Sequence, residues 1–549
     1  MDSASVELAD VDGLSVEELK ALLREQREQL VVKDAQLLTQ SEQLGVKDEL
    51  LRFYTVQIEA LKSQLQKLRR MQFGSRSEKL AREIEQLELF VEELETGVAQ
   101  RSCELAEQAG SKPTRDPKPR REFPAHLPRE TQTIAPRESA CPDCGGELKL
   151  LGEDVCEMLE LEPVRFKVIR HVRPKLACAS CDTIVQAPAP TRPIERGMAG
   201  PGLLAHMLVS KYSDHLPLYR QAEIYAREGV ELDRSLLAQW VGSASALLAP
   251  LTEALRAHVF SSDVVHTDDT PIPVLAPGNG KTKTGRLWTY VRDERPAAGE
   301  VAPAVWFAYS PDRRGEHPQR HLENFTGILQ ADGYAGYSKI YDGGLVVEAA
   351  CMAHARRRFF DLYELHKSPL AAEALDRIGE LYAIEKEIRG RLPDERRAVR
   401  RKRSRPLLDA MRPWLEQTLR TLSQKSEAAK AIRYALGRWE ALGRYCDDGR
   451  IEIDNNAAER ALRCVAIGRR NYLFAGSDAG GERAAALYSL IGSAKLNGHN
   501  PEAFLREVLA RIADHPISHI NELLPWHLNA MPANQLTGND ATPELPASA

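Results

Sequence analysis

The sequence has no run of 18 or more apolar residues, so we predict no membrane-spanning helix. Its first residues, MDSASVELADVDG, lack the basic and apolar blocks of a secretory signal, which favours a cytoplasmic location. Disulfides are not expected there, because the cytoplasm is reducing. A net positive charge is missing as well, since the formal charge is -5 over 549 residues. This average does not exclude nucleic acid as a partner, because local basic patches are what contact phosphates.

The composition that is present, 43% hydrophobic and 28% charged, is typical of a soluble globular protein. A chain of 549 residues exceeds the usual size of one domain, about 100 to 200 residues, so several domains are expected. The helical and alternating patterns described below predict a multidomain α+β protein.

A heptad repeat marks the N-terminal helical region, residues 15–100. Leucine or isoleucine recurs every seven residues from Leu23 to Leu65, which indicates a coiled coil. The companion positions become apolar only at Tyr54 and Leu61, so pairing should be weak near the N-terminus. We favour a homo-oligomer joined by this coiled coil over a helix packed on its own domain. A second helix is predicted over 77–95.

Residues 110–136 are rich in proline, arginine and lysine, and we interpret them as an extended basic linker. A zinc-binding domain is predicted over 137–195, where two CxxC pairs supply four thiolates for one structural Zn²⁺ ion. With so little core, this region should need the metal to fold. We interpret the other five cysteines, including Cys351, as packing residues. The predicted zinc ligands are Cys141, Cys144, Cys178 and Cys181.

Residues 200–255 have a helical pattern, and two short helices joined at Gly229 resemble a helix-turn-helix. The second helix should begin near Asp233 or Ser235, with Leu237 and Trp240 in its buried stripe. Such a helix would enter the major groove of DNA, although any pair of antiparallel helices gives a similar pattern.

The pattern changes after Val264 to three strands, a helix, a strand, a helix, a strand and a helix. This is the order of an RNase H-like α/β core, in which the first strand lies beside the fourth. Asp268 and Asp332 lie in the otherwise apolar sequence of those two strands, where a charged side chain is costly unless it is paired or metal-bound. Asp269 is a rival for the first position, but strand alternation places it on the opposite face. The catalytic domain is predicted over 260–500.

An all-helical insertion is predicted at about 370–448, before the last part of this domain, and a C-terminal helix and tail over 501–549. The densest basic run of the insertion, residues 395–405, is a candidate phosphate contact, although such runs are usually solvated surfaces. A later helix is capped by Asp454 or Asn455 and carries Glu459 in its first turn. In isolation, Glu459 and Arg463 would be interpreted as a surface ion pair four residues apart.

Ten segments, in order, resemble transposases of the insertion sequence sixty-six family, over about residues 73–529. The sequence departs from that pattern at Asp269, where glutamate is usual, and at Met352, where tryptophan is usual. The segments are FGSRSEKL, CPDC, CASC, LPLYRQAEIY, HTDDTPIPVL, ADGYAGY, CMAHARRRF, DNNAAERALR, GRRNYLFAGSDAGGERAA and WHLN.

The resemblance implies a DDE transposase with a catalytic triad of Asp268, Asp332 and Glu459. Two Mg²⁺ or Mn²⁺ ions held by the triad would support cleavage and strand transfer of DNA at the element's ends. Asn455 and Asn456 would position the helix or the DNA. The resemblance further implies a bacterial, nucleoid-associated protein that acts on terminal repeats and target DNA, with accessory proteins as further candidate partners. The candidate DNA-binding residues are His354, Arg356, Arg357, Arg463, Arg469 and Arg470.

The main alternative is a catalytically inactive DNA-binding regulator derived from such an enzyme, which would require a broken triad. A structural scaffold built on zinc and a coiled coil is a third hypothesis, but it leaves the acidic residues unexplained.

Overall fold

The computed structural model describes residues 49–66, 68, 78–108, 123–162, 165–195, 197–275, 282–471 and 475–528. Helix α1 (49–66) packs against α2 (Glu78–Gln108), and Ile58 is buried with Phe90 and Val91 between them. The last heptad positions therefore face a helix of the same chain. The positions before residue 49 lie outside the described residues, so the predicted coiled-coil oligomer stays a prediction.

Helix α2 extends 13 residues beyond the predicted end at 95 and joins the main body of the protein. It packs closely on α5 (Arg234–Phe260), where a Cβ atom at Gly242 would lie 2.4 Å from the Thr96 carbonyl oxygen. Two buried ion pairs also tie α2 to other helices: Glu92 with Lys211, and Glu93 with Arg483. The N-terminal helical region is thus continuous with the core.

A four-stranded sheet holds the cysteine pairs, in the order β1-β3-β2 with β4 beside β3. The end of the predicted linker is a strand, because β1 pairs in parallel with β3; residues 109–122 lie outside the described part. At the end away from the cysteines, Leu159 and Val168 are fully buried in the main core. The strands are β1 (Arg129–Thr133), β2 (Leu148–Glu162), β3 (Arg165–Cys178) and β4 (Ile184–Gln186).

Three helices follow: α3 (Pro201–Tyr212), α4 (Leu218–Arg227) and α5. Asp233 is the N-cap of α5, and Leu237 and Trp240 are buried, as predicted. The predicted short second helix is wrong in length, because α5 runs for 27 residues. From 234 to 248 none of its residues is exposed, so this half of α5 is a core helix with no free face for the DNA groove.

A five-stranded sheet forms the centre of the protein, with strand order β7-β6-β5-β8-β9. The first strand of this sheet, β5, is antiparallel to β6 and parallel to β8, so it lies beside the fourth strand as predicted. The hydroxyl oxygens of Ser489 and Ser493 accept hydrogen bonds from the N–H groups of Phe307 and Val305, respectively, on the edge strand β7. These bonds satisfy part of the exposed edge of the sheet. The strands are β5 (Val264–Leu275), β6 (Thr282–Arg292), β7 (Ala304–Ser310), β8 (Gly327–Ala331) and β9 (Val346–Ala350).

Helices α6 (Glu316–His321) and α7 (Ser338–Asp342) lie in the connections around β8, and α8 (Met352–His366) follows β9. Residues of α8 and the end of β9 form a second apolar cluster with residues from four of the next five helices. These five helices occupy the predicted insertion and are α9 (Pro369–Ile388), α10 (Pro393–Val399), α11 (Arg405–Thr421), α12 (Glu427–Leu436) and α13 (Trp439–Gly443).

The basic run at 395–405 is mostly paired within the insertion. Arg400 is fully buried; its guanidinium binds both oxygens of Glu385, at 2.8 and 2.6 Å. Arg396 is buried between Glu385 and Glu452. These arginines therefore stabilise the insertion, and the predicted phosphate contact is wrong for them.

The chain ends in α14 (Asn456–Asn471), α15 (Asp478–Leu496) and α16 (Pro501–Arg511), followed by short 3-10 turns to residue 527. Helix α14 carries Glu459 and lies against β5 and β6. Across the part of the chain that the structure describes, every helix is too short or too polar to span a bilayer.

Candidate catalytic and metal sites

Asp268 lies near the middle of β5, on the strand face that α14 covers. His266, two residues earlier and on the same face, contacts Asn455 at the start of α14. Burial and, after it, the nearby carboxylates of Asp332 and Glu459 together raise the pKa of Asp268 to about 7. A cation beside such a carboxyl group would stabilise its charged form and offset the repulsion from the neighbouring carboxylates.

Asp269 points to the opposite side and is already paired. Its two oxygens lie 2.8 Å from Arg313 and 3.0 Å from Arg286, and its side chain is 1% exposed. Two guanidinium groups neutralise it, so it is a poor candidate for a metal ligand. This placement agrees with the predicted strand alternation.

Asp332 follows β8, and its side chain is 23% exposed. The Tyr334 N–H donates to Asp332 Oδ1 at 3.1 Å, which orients the carboxylate. The Arg313 guanidinium lies 3.9 Å from the other oxygen and stacks on the Tyr334 ring. The Gly333 carbonyl accepts a hydrogen bond from Arg438 of the helical insertion at 2.7 Å. The insertion thereby helps to fix the loop that carries Asp332.

Asn455 connects the strand of Asp268 to the helix of Glu459. Its Oδ1 lies 3.1 Å from His266 Nδ1, and its Nδ2 donates to the Thr267 carbonyl at 2.8 Å. Since Nδ2 is engaged with a carbonyl, His266 donates through Nδ1–H. Burial lowers the pKa of His266, so the ring is neutral in this bond. The side chain of Asn456, by contrast, donates to Asp454 at 2.8 Å.

Glu459 lies in the first turn of α14. Its Oε1 lies 3.8 Å from His354 Nδ1, and its Oε2 lies 3.5 Å from the Arg357 guanidinium. Both partners come from α8, so the predicted triad sits where β5, β8, α8 and α14 meet. Two clusters of possible metal ligands occur among the described residues, if three or more ligand atoms must lie within 4.8 Å of one another. One is the four cysteines, and the other is Cys351, His354 and Glu459. The triad itself does not form such a closed cluster.

The four cysteines of the CxxC pairs converge at one end of the β2–β3 hairpin. Their sulfur atoms are 3.4 Å apart for Cys141 and Cys181 and for Cys144 and Cys178, and 3.3 Å apart for Cys144 and Cys181. A tetrahedral Zn²⁺ ion with bonds of about 2.3 Å would separate its ligands by about 3.8 Å. A shift of about 0.4 Å would therefore admit the ion.

Backbone geometry prepares these thiols for metal. Gly145 has φ of +72°, which lets the chain turn after Cys144. A Cβ atom added to Gly146 would lie only 3.0 Å from Cys178 Sγ, so the close approach of the backbone to this sulfur requires glycine. The Ser180 N–H group lowers the pKa of Cys178, and the Thr183 hydroxyl, followed by its N–H group, lowers the pKa of Cys181. Hydrogen bonding with Cys181 raises the pKa of Cys144 to about 12. The thiolates favoured at Cys178 and Cys181 suit a structural zinc site.

The other predicted contact residues have different surroundings. Arg356 and Arg357 line an open cavity of about 510 Å³ beside α9, together with Phe360 and Tyr382. Arg463 is exposed on α14. Arg469 and Arg470 fall in α14, but their side chains lie outside the described atoms.

Sequence reasoning missed Arg313 and Arg286, which neutralise Asp269, and Arg438, which holds the Asp332 loop. Arg313 and Arg286 lie 44 and 17 residues from their partner, and Arg438 lies 105 residues from Gly333. No periodic signal in the sequence relates residues so far apart.

Family models match four parts of the chain, and all four describe transposase domains. The model for the Transposase IS66 family covers residues 196–483, and the zinc-finger binding domain of transposase IS66 covers 138–182. Transposase C of IS166 homeodomain covers 60–131, and the IS66 C-terminal element covers 489–526. The matched domains thus belong to the transposase class. Within that class, the chain is a member of the IS66 family.

Related proteins occur in Sinorhizobium fredii (strain NBRC 101917 / NGR234). Uncharacterized protein y4hP is 45% identical over 493 residues, 85% of this chain and 88% of that protein. Uncharacterized protein y4qI is 40% identical over 523 residues, 93% of this chain and 97% of that protein. The zinc-finger match and the four-cysteine cluster together support structural Zn²⁺ in this chain.

Proposed function

We propose that the protein cleaves DNA at the ends of an insertion sequence and joins those ends to target DNA. The observation that carries this proposal is the placement of three acids from distant parts of the sequence: Asp268 on β5, Asp332 just after the adjacent β8, and Glu459 on α14, which packs on β5. The order and directions of β5–β9 support an RNase H-like core, with Asp268 on its central strand and Asp332 just after the neighbouring strand.

Two divalent ions, Mg²⁺ or Mn²⁺, would activate the attacking oxygen and neutralise charge on the leaving oxygen when bound. Asp268, Asp332 and Glu459 fit such ions, because hard cations prefer carboxylate oxygens.

The surrounding residues position these acids and the DNA. Arg357 orients Glu459, and Asn455 holds the Glu459 helix on β5. Arg313 is paired with Asp269 at 2.8 Å and lies 3.9 Å from Asp332, so we assign it a supporting role beside the phosphate-binding face of that carboxylate. We assign DNA backbone contacts to Arg356, Arg463, Arg469 and Arg470, and to His354 beside Glu459.

Specificity requires other regions, because the triad reads no sequence. We assign recognition of the terminal repeats to the N-terminal region, the zinc-binding domain and the exposed helix α4, with oligomerisation through the heptad repeat. A bacterial cytoplasmic, nucleoid-associated location and accessory proteins of the same element complete the proposal.

A strand-cleavage assay on terminal-repeat DNA tests the assignment. Loss of a residue that only supports a metal ligand costs about 10- to 100-fold, so Asp268→Asn, Asp332→Asn and Glu459→Gln should each lower cleavage by more than about 100-fold. Asp269→Asn is the matched control on the same strand and should retain cleavage within about tenfold.

A band-shift assay on the same DNA separates catalysis from binding. The triad variants should bind as the wild type does, because they lack cleavage only. Normal cleavage by Asp332→Asn would show that Asp332 is not part of the catalytic site. Wild-type binding without cleavage in either Mg²⁺ or Mn²⁺ would instead identify a DNA-binding regulator.

A further inference from the structure

A second group of possible metal ligands lies between α8 and α14. Cys351 precedes α8, His354 lies in its first turn, and Glu459 lies in the first turn of α14. One ligand atom from each residue lies within 4.8 Å of the other two. The sequence indicates only a packing role for Cys351, since nothing in its spacing relates it to Glu459, 108 residues later.

Two of these ligand atoms are buried and have no hydrogen-bond partner among the described residues. His354 Nδ1 and Glu459 Oε1 have essentially no solvent contact, and they are 3.8 Å apart, too far for a hydrogen bond. Leaving a buried polar atom unpaired costs about 1 to 3 kcal/mol. The other oxygen of Glu459 faces Arg357, so the unpaired oxygen is the one directed to His354. An ion between the two atoms accounts for both.

The sulfur atom is prepared in the same way as in the four-cysteine site. Cys351 Sγ accepts the N–H of Asn455 at 3.1 Å, as Cys178 Sγ accepts the N–H of Ser180 at 3.4 Å. An N–H group directed at a sulfur orients that sulfur for a metal. The Cys351 side chain is 2% exposed, which keeps water from competing for the ion.

We propose that Cys351, His354 and Glu459 bind one transition-metal ion of borderline softness, such as Zn²⁺, at a site separate from the four cysteines. A sulfur, nitrogen and oxygen donor set suits Zn²⁺, whereas Mg²⁺ prefers oxygen. Tetrahedral Zn²⁺ would hold its nitrogen and oxygen ligands about 3.3 Å apart, about 0.5 Å closer than His354 and Glu459 are. The Cys351 thiol releases its proton to solvent on binding.

This site shares Glu459 with the proposed triad. A Zn²⁺ ion there holds Oε1 of Glu459 away from the Mg²⁺ pair, so Zn²⁺ inhibits DNA cleavage while leaving DNA binding intact. That consequence rests on the proposed function, whereas occupation of the site by Zn²⁺ does not.

Metal counting on the full-length chain tests the site. After incubation with excess Zn²⁺ and desalting, elemental analysis should give about two zinc ions per wild-type chain and about one for Cys351→Ser and for His354→Gln. Cys464→Ser is the matched control, because Cys464 is partly buried on the same helix as Glu459 and its only described hydrogen bond is to the Ala461 carbonyl. It should retain about two ions.

Co²⁺ provides a spectroscopic check that needs no activity. With the four-cysteine site first filled by one equivalent of Zn²⁺, added Co²⁺ should give a sulfur-to-metal absorption band in the wild type and not in Cys351→Ser.

About one zinc ion in the wild type, or a count unchanged by both substitutions, would overturn the proposal. If Cys351→Ser does not fold by circular dichroism, His354→Gln decides, since its side chain is 24% exposed and tolerates a polar replacement. Failure of the cleavage assay leaves these metal counts unaffected.

Discussion

Asn455 Oδ1 lies 3.1 Å from His266 Nδ1, a contact between residues 189 positions apart. This buried bond and the one from Asn455 to the Thr267 carbonyl fix the start of α14 on β5. Glu459 lies one turn along α14, and Asp268 lies two residues from His266. The distance between the two acids therefore depends on one amide side chain that takes no part in metal binding.

Asn455→Ala should lower both stability and cleavage. The substitution leaves the His266 N–H and the Thr267 carbonyl without partners, at a cost of about 2 to 5 kcal/mol in the free energy of unfolding. Chemical denaturation measures this cost, and strand cleavage should fall with it even where the protein is still folded. Asn456→Ala loses only contacts with Asp454, so it should cost less than about 1.5 kcal/mol. Equal effects of the two substitutions would refute the special role of Asn455.

The raised pKa of Asp268 predicts a pH-dependent gain in stability for Asp268→Asn. The pKa rises from 3.8 to about 7 on folding, so the metal-free wild type loses stability as pH increases between these values. A difference of about three units corresponds to at most about 4 kcal/mol. Asp268→Asn should therefore be more stable than the wild type near pH 8 and similar to it near pH 3, as measured by thermal unfolding in a chelator.

Mg²⁺ should make the wild type more stable than Asp268→Asn near pH 8, the reverse of the order expected in a chelator. An ion bound by Asp268 favours its charged form, so Mg²⁺ should raise the melting temperature of the wild type near pH 8 and leave that of Asp268→Asn unchanged. Equal stabilisation of both proteins by Mg²⁺ would show that Asp268 is not a ligand.

Arg400 and Arg403 predict contrasting effects within one basic run. Arg400→Met leaves the buried Glu385 with a single distant cation, Arg396 at 3.5 Å, and should destabilise the insertion by about 3 to 5 kcal/mol. Arg403→Met breaks an exposed pair with Glu387, which solvent screens, and should have little effect on the free energy of unfolding. Urea denaturation compares the two. A larger cost for Arg403→Met would contradict the assignment of the run to internal pairing.

Removal of zinc from the four-cysteine site should unfold only one end of the small sheet. Hydrogen exchange should become fast at 141–150 and 176–186, because the thiolates there have little apolar core beneath them. The opposite end of the hairpin should stay protected, since Leu159 and Val168 belong to the main core. Loss of protection along the whole hairpin would show that the entire module depends on the metal, as its sequence alone suggested.

Local patterns were sufficient for much of the fold. The predicted strand 264–275 coincides with β5, because alternation along a strand depends only on neighbouring residues. The two CxxC pairs converge as expected, since each pair supplies its own turn. The insertion helices also fall where charged helical sequence and prolines placed them.

Other predictions failed where one sequence pattern fits two environments. The apolar stripe of α5 is the same for a short helix at a surface and for a 27-residue helix in the core. The basic run at 395–405 has the composition of a phosphate-binding surface, yet Arg400 is buried against Glu385. In each case the partner lies outside the segment that produces the pattern.

The sequence by itself determined the family, the cysteine pairs and the strands that carry Asp268 and Asp332, because these depend on residue type and short spacing. Only the tertiary structure decided that Arg313 and Arg286 neutralise Asp269, and that Cys351 meets His354 and Glu459. Such choices depend on burial and on charges that approach within a few ångströms after folding, and the separation of residues along the chain does not encode those distances.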